Sequence, residues 1–453
     1  MELRRFKRWS GVMTALAWGV TGCSPQLPAS APTIPHSVRS DAAGGLDASF
    51  GTAGVAHLFF KGGVYTNALA VQADGRILIA GTYFRGRRGD DFFVARMMPD
   101  GQPDPSFGEH GAVMRDFGGN EEATAVAVQA DGKILVAGTR LDSRRSQNFT
   151  VLRLLENGQV DESFGARGVA TSTFYGSFNR AYGMRVQADG KIVVAGYAMP
   201  GRSSHFAVVR FTPEGELDVS FGRYGQVTTD FSESLAMARD LSADVAYGLE
   251  LDEEGRIVLA GLANSSGEAA DGFAMVRYLE NGRLDRSFGR RGMVFHRLGD
   301  GNVARAVTIQ TDGKMVLAGV CDKRIAVARY TDIGEIDEKF GDGGVIREAP
   351  ASVAGGSDMA RAVVSGETGE IYVASTLKGG LEVSLRKYGA LGKPDPCFGD
   401  LTCQRGGEVR PTGSFLTQVG KDHGIALVRQ PDDGRVLVAI SSDDGFTVHR
   451  YHP

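Results

Sequence analysis

The chain has 453 residues, 50 of them basic and 54 acidic, with a formal charge of −4. It lacks the basic excess that nucleic-acid binding demands, so nucleic acid is not expected as a partner. With 63 glycines, 42% hydrophobic residues and only 8% aromatic ones, the composition suits short strands joined by many tight turns rather than packed helices.

The first segment, residues 1–22, reads as an export signal. Arg4, Arg5, Lys7 and Arg8 precede an apolar run from Gly11 to Val20 that is too short for a permanent membrane helix. It ends in Val20-Thr21-Gly22-Cys23, which resembles the lipobox of bacterial lipoproteins. The resemblance implies that Cys23 is lipidated and becomes the mature N-terminus. Residues 23–45, rich in Pro, Ser and Ala, read as an extended tether. Ser24 rather than aspartate follows the cysteine, which by the sorting habit of such proteins implies the outer membrane. The expected location is therefore the cell envelope, with the lipid as the only membrane attachment.

From residue 46 onward the chain repeats. Leu-Asp-x-Ser-Phe-Gly recurs in recognisable form with its phenylalanine at Phe50, Phe107, Phe164, Phe221, Phe288, Phe340 and Phe398, at spacings of 57, 57, 57, 67, 52 and 58 residues. A fixed period of this length is the signature of a propeller or solenoid, and the expected domain, 46–453, consists of the seven copies. In the third copy the strand-length runs are 168–174, 182–187, 191–196 and 206–210, bounded by glycine and polar turns. Asp189-Gly190 separates the second run from the third, as do Asp74-Gly75, Asp131-Gly132, Asp312-Gly313 and Asp433-Gly434 in other copies. This pair predicts two-residue hairpin turns with positive φ at both central positions. The first and last copies show no polar caps of the kind an open stack needs, so the expected fold is all-β, a seven-bladed β-propeller of four-stranded antiparallel blades.

Leu-Asp-x-Ser-Phe-Gly, x-Gln-x-Asp-Gly-Lys-Ile-x-Val-Ala-Gly and Phe-x-Val-x-Arg together resemble the delta-60 repeat family of bacteria over residues 46–453. The resemblance implies a propeller-like array and brings no catalytic residues with it.

Residues present in every copy belong to the blade rather than to a site. Arg96, Arg153, Arg210, Arg277, Arg329 and Arg450, with Lys387 in the sixth copy, are read as ion-pair partners of Asp47, Asp104, Asp161, Asp218, Asp285, Asp337 and Asp395. Cys397 and Cys403 bracket an inserted loop, and in an exported protein they read as a disulfide. Cys321 reads as a shielded small apolar residue. No histidine cluster, phosphate loop or serine elbow is present, and no catalytic residue, metal site or cofactor is expected.

Two sets depart from the repeat. If the first strand of each copy lined the channel, Asp116, Asp230 and Arg297 would face it, the best case for an enzyme at the channel mouth. Strand direction puts the Asp-Gly hairpins and Leu-Asp-x-Ser-Phe-Gly links on one face and the length variation on the other. There Arg85, Arg87, Arg88, Arg140, Arg144, Arg145 and Arg202 form a candidate basic patch. The leading expectation is a monomeric, non-enzymatic scaffold that presents loops to a protein or anionic glycan. An enzyme acting at the channel mouth is the alternative.

Overall fold

The computed structural model describes residues 44–453 except 61–62, 87–88, 142–145, 175–177, 233–242, 266–269, 349–356, 381, 397, 399–413, 419–423 and 443. Seven antiparallel four-stranded sheets form a ring, a seven-bladed β-propeller. Blade 1 runs outward through β2 (Val64–Val71), β3 (Ile77–Phe84), β4 (Asp90–Met97) and β5 (Ala112–Arg115). The innermost strands of the later blades are β6 (Glu121–Val128), β10 (Asn179–Val186), β14 (Val245–Leu251), β18 (Val303–Ile309), β22 (Met359–Ser365) and β26 (Ile425–Arg429). Each contacts the innermost strand of the next blade around the channel.

The blades are out of phase with the sequence copies. The first strand of each copy pairs as the outermost strand of the preceding blade, as β5 does with β4. Ring closure follows from the same offset. β1 (Val55–Phe59) pairs antiparallel with β28 (Gly445–Tyr451), which continues through β27 (Val436–Ser442) to β26. The two ends of the array thus share blade 7. Strand one does not line the channel, so Asp116, Asp230 and Arg297 are corrected from channel residues to residues at the outer blade edge.

The hairpin expectation is also corrected. Gly75 has φ 81° whereas Asp74 keeps a negative φ, and the Gly75 N–H donates to Gln72 O at 2.9 Å. The connection is a three-residue loop, a type I turn completed by a left-handed glycine. Aspartate serves by accepting the following backbone N–H, Arg76 N to Asp74 Oδ1 at 3.0 Å.

The core lies between blades. Leu135 and Val151 of blade 2 pack with Ile192, Val194 and Val209 of blade 3, and Leu437 and Ala439 of blade 7 pack with Ile77 and Ile79 of blade 1. Strands covered on both faces are buried along nearly their whole length, as in Ile371–Leu377. Alternation in such strands decides which neighbour a side chain meets, not whether it meets water.

The repeated polar residues form one network on the hairpin face. Arg210 Nε donates to Asp218 Oδ2 at 2.8 Å, and its guanidinium lies 4.7 Å from the Phe221 ring centroid. Its Nη1 also donates to Glu280 O of the next blade. Arg153 reaches Pro213 O at 2.6 Å in the same way, and Arg450 reaches Pro99 O at 2.7 Å across the closure. The motif glutamine joins the system: Gln187 Oε1 accepts from Arg210 and Nε2 donates to Gly255 O, both at 3.3 Å. Aspartate, serine, phenylalanine, glutamine and arginine of the repeat are therefore a single staple between successive blades. Cys321 is buried, and desolvation pushes its thiol up, as befits an apolar filler.

Candidate functional site at the channel mouth

The face opposite the staples carries the asymmetry. In six blades the innermost strand contains a β-bulge, and the bulged residue is Asn67, Thr124, Tyr182, Tyr247, Arg305 or Arg361. Each sits between two small residues, as in Ala181-Tyr182-Gly183 and Ala304-Arg305-Ala306. In five of these blades the residue opposite is the glycine that follows the alanine of the blade's second strand, and a Cβ on Gly196, for example, would stand 1.9 Å from Arg180 O. Blade 6 forms the same bulge opposite Ser375, so glycine eases the close approach without being required for it. A bulge breaks the alternation and re-aims one side chain. Here it lines up one residue from each of these six blades around the channel.

These residues touch across blades. Asn67 Nδ2 donates to Ala123 O at 2.8 Å and Thr124 Oγ1 to Ala181 O at 3.1 Å. The Tyr182 and Tyr247 rings lie 4.9 Å apart, and the Arg305 guanidinium sits 4.1 Å from the Tyr247 centroid. Tyr197 joins the aromatic group at 6.2 Å from Tyr182. Burial raises the Tyr182 hydroxyl far above its ordinary pKa, so it serves as a neutral hydrogen-bonding and stacking group rather than as a base. Arg305 makes no ion pair with a carboxylate among the described residues, and its buried Nε has no hydrogen-bond partner.

One level above, toward the variable face, Arg180 pairs with Glu122 and lies 5.5 Å from the Tyr182 centroid. Both line a cavity of about 400 Å³ with Tyr65, Thr82, Phe84, Asp90, Asn120, Glu121, Thr139 and Gln147. Phe84 and Phe178 remain exposed on this face. The mouth is therefore polarised: carboxylates gather at blades 1 and 2, and arginine with tyrosine at blades 3 to 5.

The residues singled out in the sequence fall elsewhere. Asp116 Oδ2 meets Arg85 Nη1 at 3.0 Å, Asp230 accepts from Ser232 and faces His205 at 3.6 Å, and Arg297 pairs with Asp300 at 3.0 Å. Of the basic patch, Arg85 is held by Asp91 at 2.6 Å as well as by Asp116. Arg140 stacks at 5.3 Å from the Phe117 centroid and donates to Phe117 O, while Arg202 is exposed. Arg87, Arg88, Arg144 and Arg145 lie outside the described residues, as do Cys23, Cys397 and Cys403. The bulged residues lie on the second strand of their copies, whereas the sequence reading of the channel rests on the first. Their signal was the small-x-small tripeptide whose middle residue changes chemistry from copy to copy.

The fold and this repeat define a propeller of repeated blades. Residues 72–107, 129–164, 187–221 and 255–288 match the family described as a domain of unknown function (DUF5122) beta-propeller, each stretch running from the hairpin strand to the motif phenylalanine. No curated protein matches the sequence. Among solved structures, a protein from Lactobacillus plantarum is similar at 14% identity and TM-score 0.44, covering 83% of this chain and 99% of its own. The beta-propeller domain of the Trilobed protease from Pyrococcus furiosus is similar at 11% and 0.40, covering 86% and 94%. A polysaccharide lyase of family PL25, an ulvan lyase, is similar at 9% and 0.44, covering 87% and 96%. Likeness at this level carries no argument about activity.

Proposed function

We propose that this protein is a non-enzymatic binding propeller, held at the cell envelope through lipidated Cys23, that captures an anionic glycan at the channel mouth on its variable face. One observation carries the reading: the residue that each bulge turns into the channel is the one whose chemistry differs from blade to blade. At blades 3 to 5 it supplies two tyrosines whose rings meet at a tilt and an arginine with no carboxylate partner among the described residues. The C–H face of a sugar ring suits packing on a tyrosine ring, and a uronate or sulfate suits the guanidinium beside it. The elements of a catalytic dyad are not assembled there, since Tyr182 stays protonated and Glu122 is committed to Arg180.

The test is calorimetric titration of the purified protein with acidic oligosaccharides, with neutral oligosaccharides and acidic peptides as controls. Tyr182→Ala and Arg305→Ala should each weaken acidic-glycan binding about tenfold, equivalent to ~1.4 kcal/mol, and binding should fall with salt. Equal binding by both variants sinks the site. Preference for acidic peptide replaces the glycan with a protein partner. The alternative is an enzyme acting in the open cavity of about 400 Å³ at the mouth, and chain cleavage of the bound oligosaccharide would establish it. Replacing Cys23 with Ser should move the protein from the membrane to the soluble fraction.

A further inference from the structure

At the variable face, three equivalent positions fall together at each of the four joins between blades 1 and 5. Two are the cross-strand neighbours just beyond the end of the outer ladder, and the third opens or precedes the next innermost strand. Between blades 2 and 3 they are Asn148, Thr173 and Asn179. Thr173 Oγ1 donates to Asn148 Oδ1 at 2.7 Å, and Asn179 Nδ2 donates to Gln147 O at 2.9 Å. Between blades 3 and 4 they are His205, Asp230 and Asp244, with Asp244 accepting from Phe231 N at 2.9 Å and Asn264 N at 3.3 Å. Between blades 4 and 5 they are Gly272, Arg297 and Asn302. Each of these sets mixes donors with acceptors. Between blades 1 and 2 all three are carboxylates: Asp91, Asp116 and Glu121.

The three contribute carboxylate oxygens that all lie within 4.8 Å of one another. Asp91 and Glu121 are each only 1% exposed. Among the described residues the cation that ion-pairs here is Arg85, at 2.6 Å from Asp91 and 3.0 Å from Asp116, one guanidinium against three carboxyl groups. Glu121 Oε2 accepts the Phe117 N–H at 3.3 Å, while its buried Oε1 has only the Gly119 N–H nearby, without the geometry of a good hydrogen bond. Buried carboxylates are retained where a cation compensates them. Oxygens up to 4.8 Å apart are what ligands on opposite sides of a Ca²⁺ show at bond lengths of about 2.3–2.6 Å. The donor set is all oxygen, which suits a hard divalent ion. It is built from strands of two blades, a geometry better matched to adaptable Ca²⁺ coordination than to the tight octahedron of Mg²⁺.

We propose that Asp91, Asp116 and Glu121 form a Ca²⁺ site that clamps blade 1 to blade 2, with Arg85 as the competing counter-ion and water entering on the exposed Asp116 side. The site borders the mouth cavity through Glu121, but its argument does not rest on the glycan reading. The intact chain is stripped with chelator and titrated with CaCl₂ and with MgCl₂ by calorimetry, with thermal unfolding followed alongside. Ca²⁺ should bind and raise the melting temperature, and Mg²⁺ should bind at least tenfold more weakly. Asp116→Asn, at a half-exposed position that leaves the core untouched, and Glu121→Gln should each abolish the Ca²⁺ response, while Asp230→Asn, at the equivalent place in blade 3, should keep it. Arg85→Gln removes the competitor and should tighten Ca²⁺ binding about tenfold. A Ca²⁺ response that is absent from the stripped chain, or that persists undiminished in Asp116→Asn, overturns the site. Loss of Ca²⁺ binding in Arg85→Gln would mark the arginine as the cluster's permanent partner and would overturn it equally.

Discussion

Arg210 is buried to 2% exposure, yet it makes five polar or aromatic contacts, with Asp218, Gln187, Glu280, Ser220 and Phe221. Cutting it to alanine strands Asp218, which keeps only Ser220 and a Lys191 ammonium 3.8 Å away. The expected loss is about 3 to 5 kcal/mol of unfolding free energy, nearer the lower figure because of that lysine. Blade 6 contains a natural version of a milder change: Lys387 stands at the arginine position, 3.4 Å from Asp395. Arg210→Lys should therefore lose less than Arg210→Ala, by denaturant unfolding, since it retains the pair and forfeits the fork that reaches the next blade. The pairing of these arginines with the motif aspartates is legible because both recur with fixed spacing, lysine replacing arginine in the sixth copy alone. The bond to the next blade was not, because its acceptor is a backbone carbonyl that any residue supplies.

At the scale of the strand, His449 of β28 faces the closing strand, opposite Val55, and accepts or donates with Thr447 Oγ1 at 3.0 Å. Burial pushes its imidazole down to about 4, and the neighbouring His57 adds to the effect. The unfolded chain takes up that proton near the ordinary 6.5, the fold only near 4. Stability from this group is thus fully present above pH 6.5 and is lost as pH falls toward 4, by up to on the order of 3 kcal/mol. Denaturant unfolding between pH 7 and 4 should show the decline in the native protein and a flatter profile for His449→Gln. Equal slopes would mean that the histidine is not held neutral by closure. The bulges belong to this scale too. Their small-x-small tripeptides are visible in the sequence, but the extra residue declares itself only when the partner strand is counted against it.

For the whole molecule, the closing strand makes one testable demand. Removing residues 1–60 leaves blade 7 with three strands and deprives Arg450 of Asp47, its partner at 2.7 Å. Amide exchange in Gly445–Tyr451 should then accelerate by more than tenfold while blades 3 to 5 stay protected. Unchanged protection of β28 would show that the ring closes without β1. Sequence by itself determined the number of blades, the four strands in each, the Arg–Asp pairs and the division into a uniform and a variable face. All of these follow from period and strand direction, which are properties of the chain read in order. Tertiary structure decided where each blade begins, how the ring closes and which strand lines the channel. A repeat can be cut into blades at any of its turns without altering its period, and only the pairing of β1 with β28 selects one cut. That choice moved the candidate site from the outer edge, where Asp116, Asp230 and Arg297 lie, to the ring of bulged residues on the innermost strands.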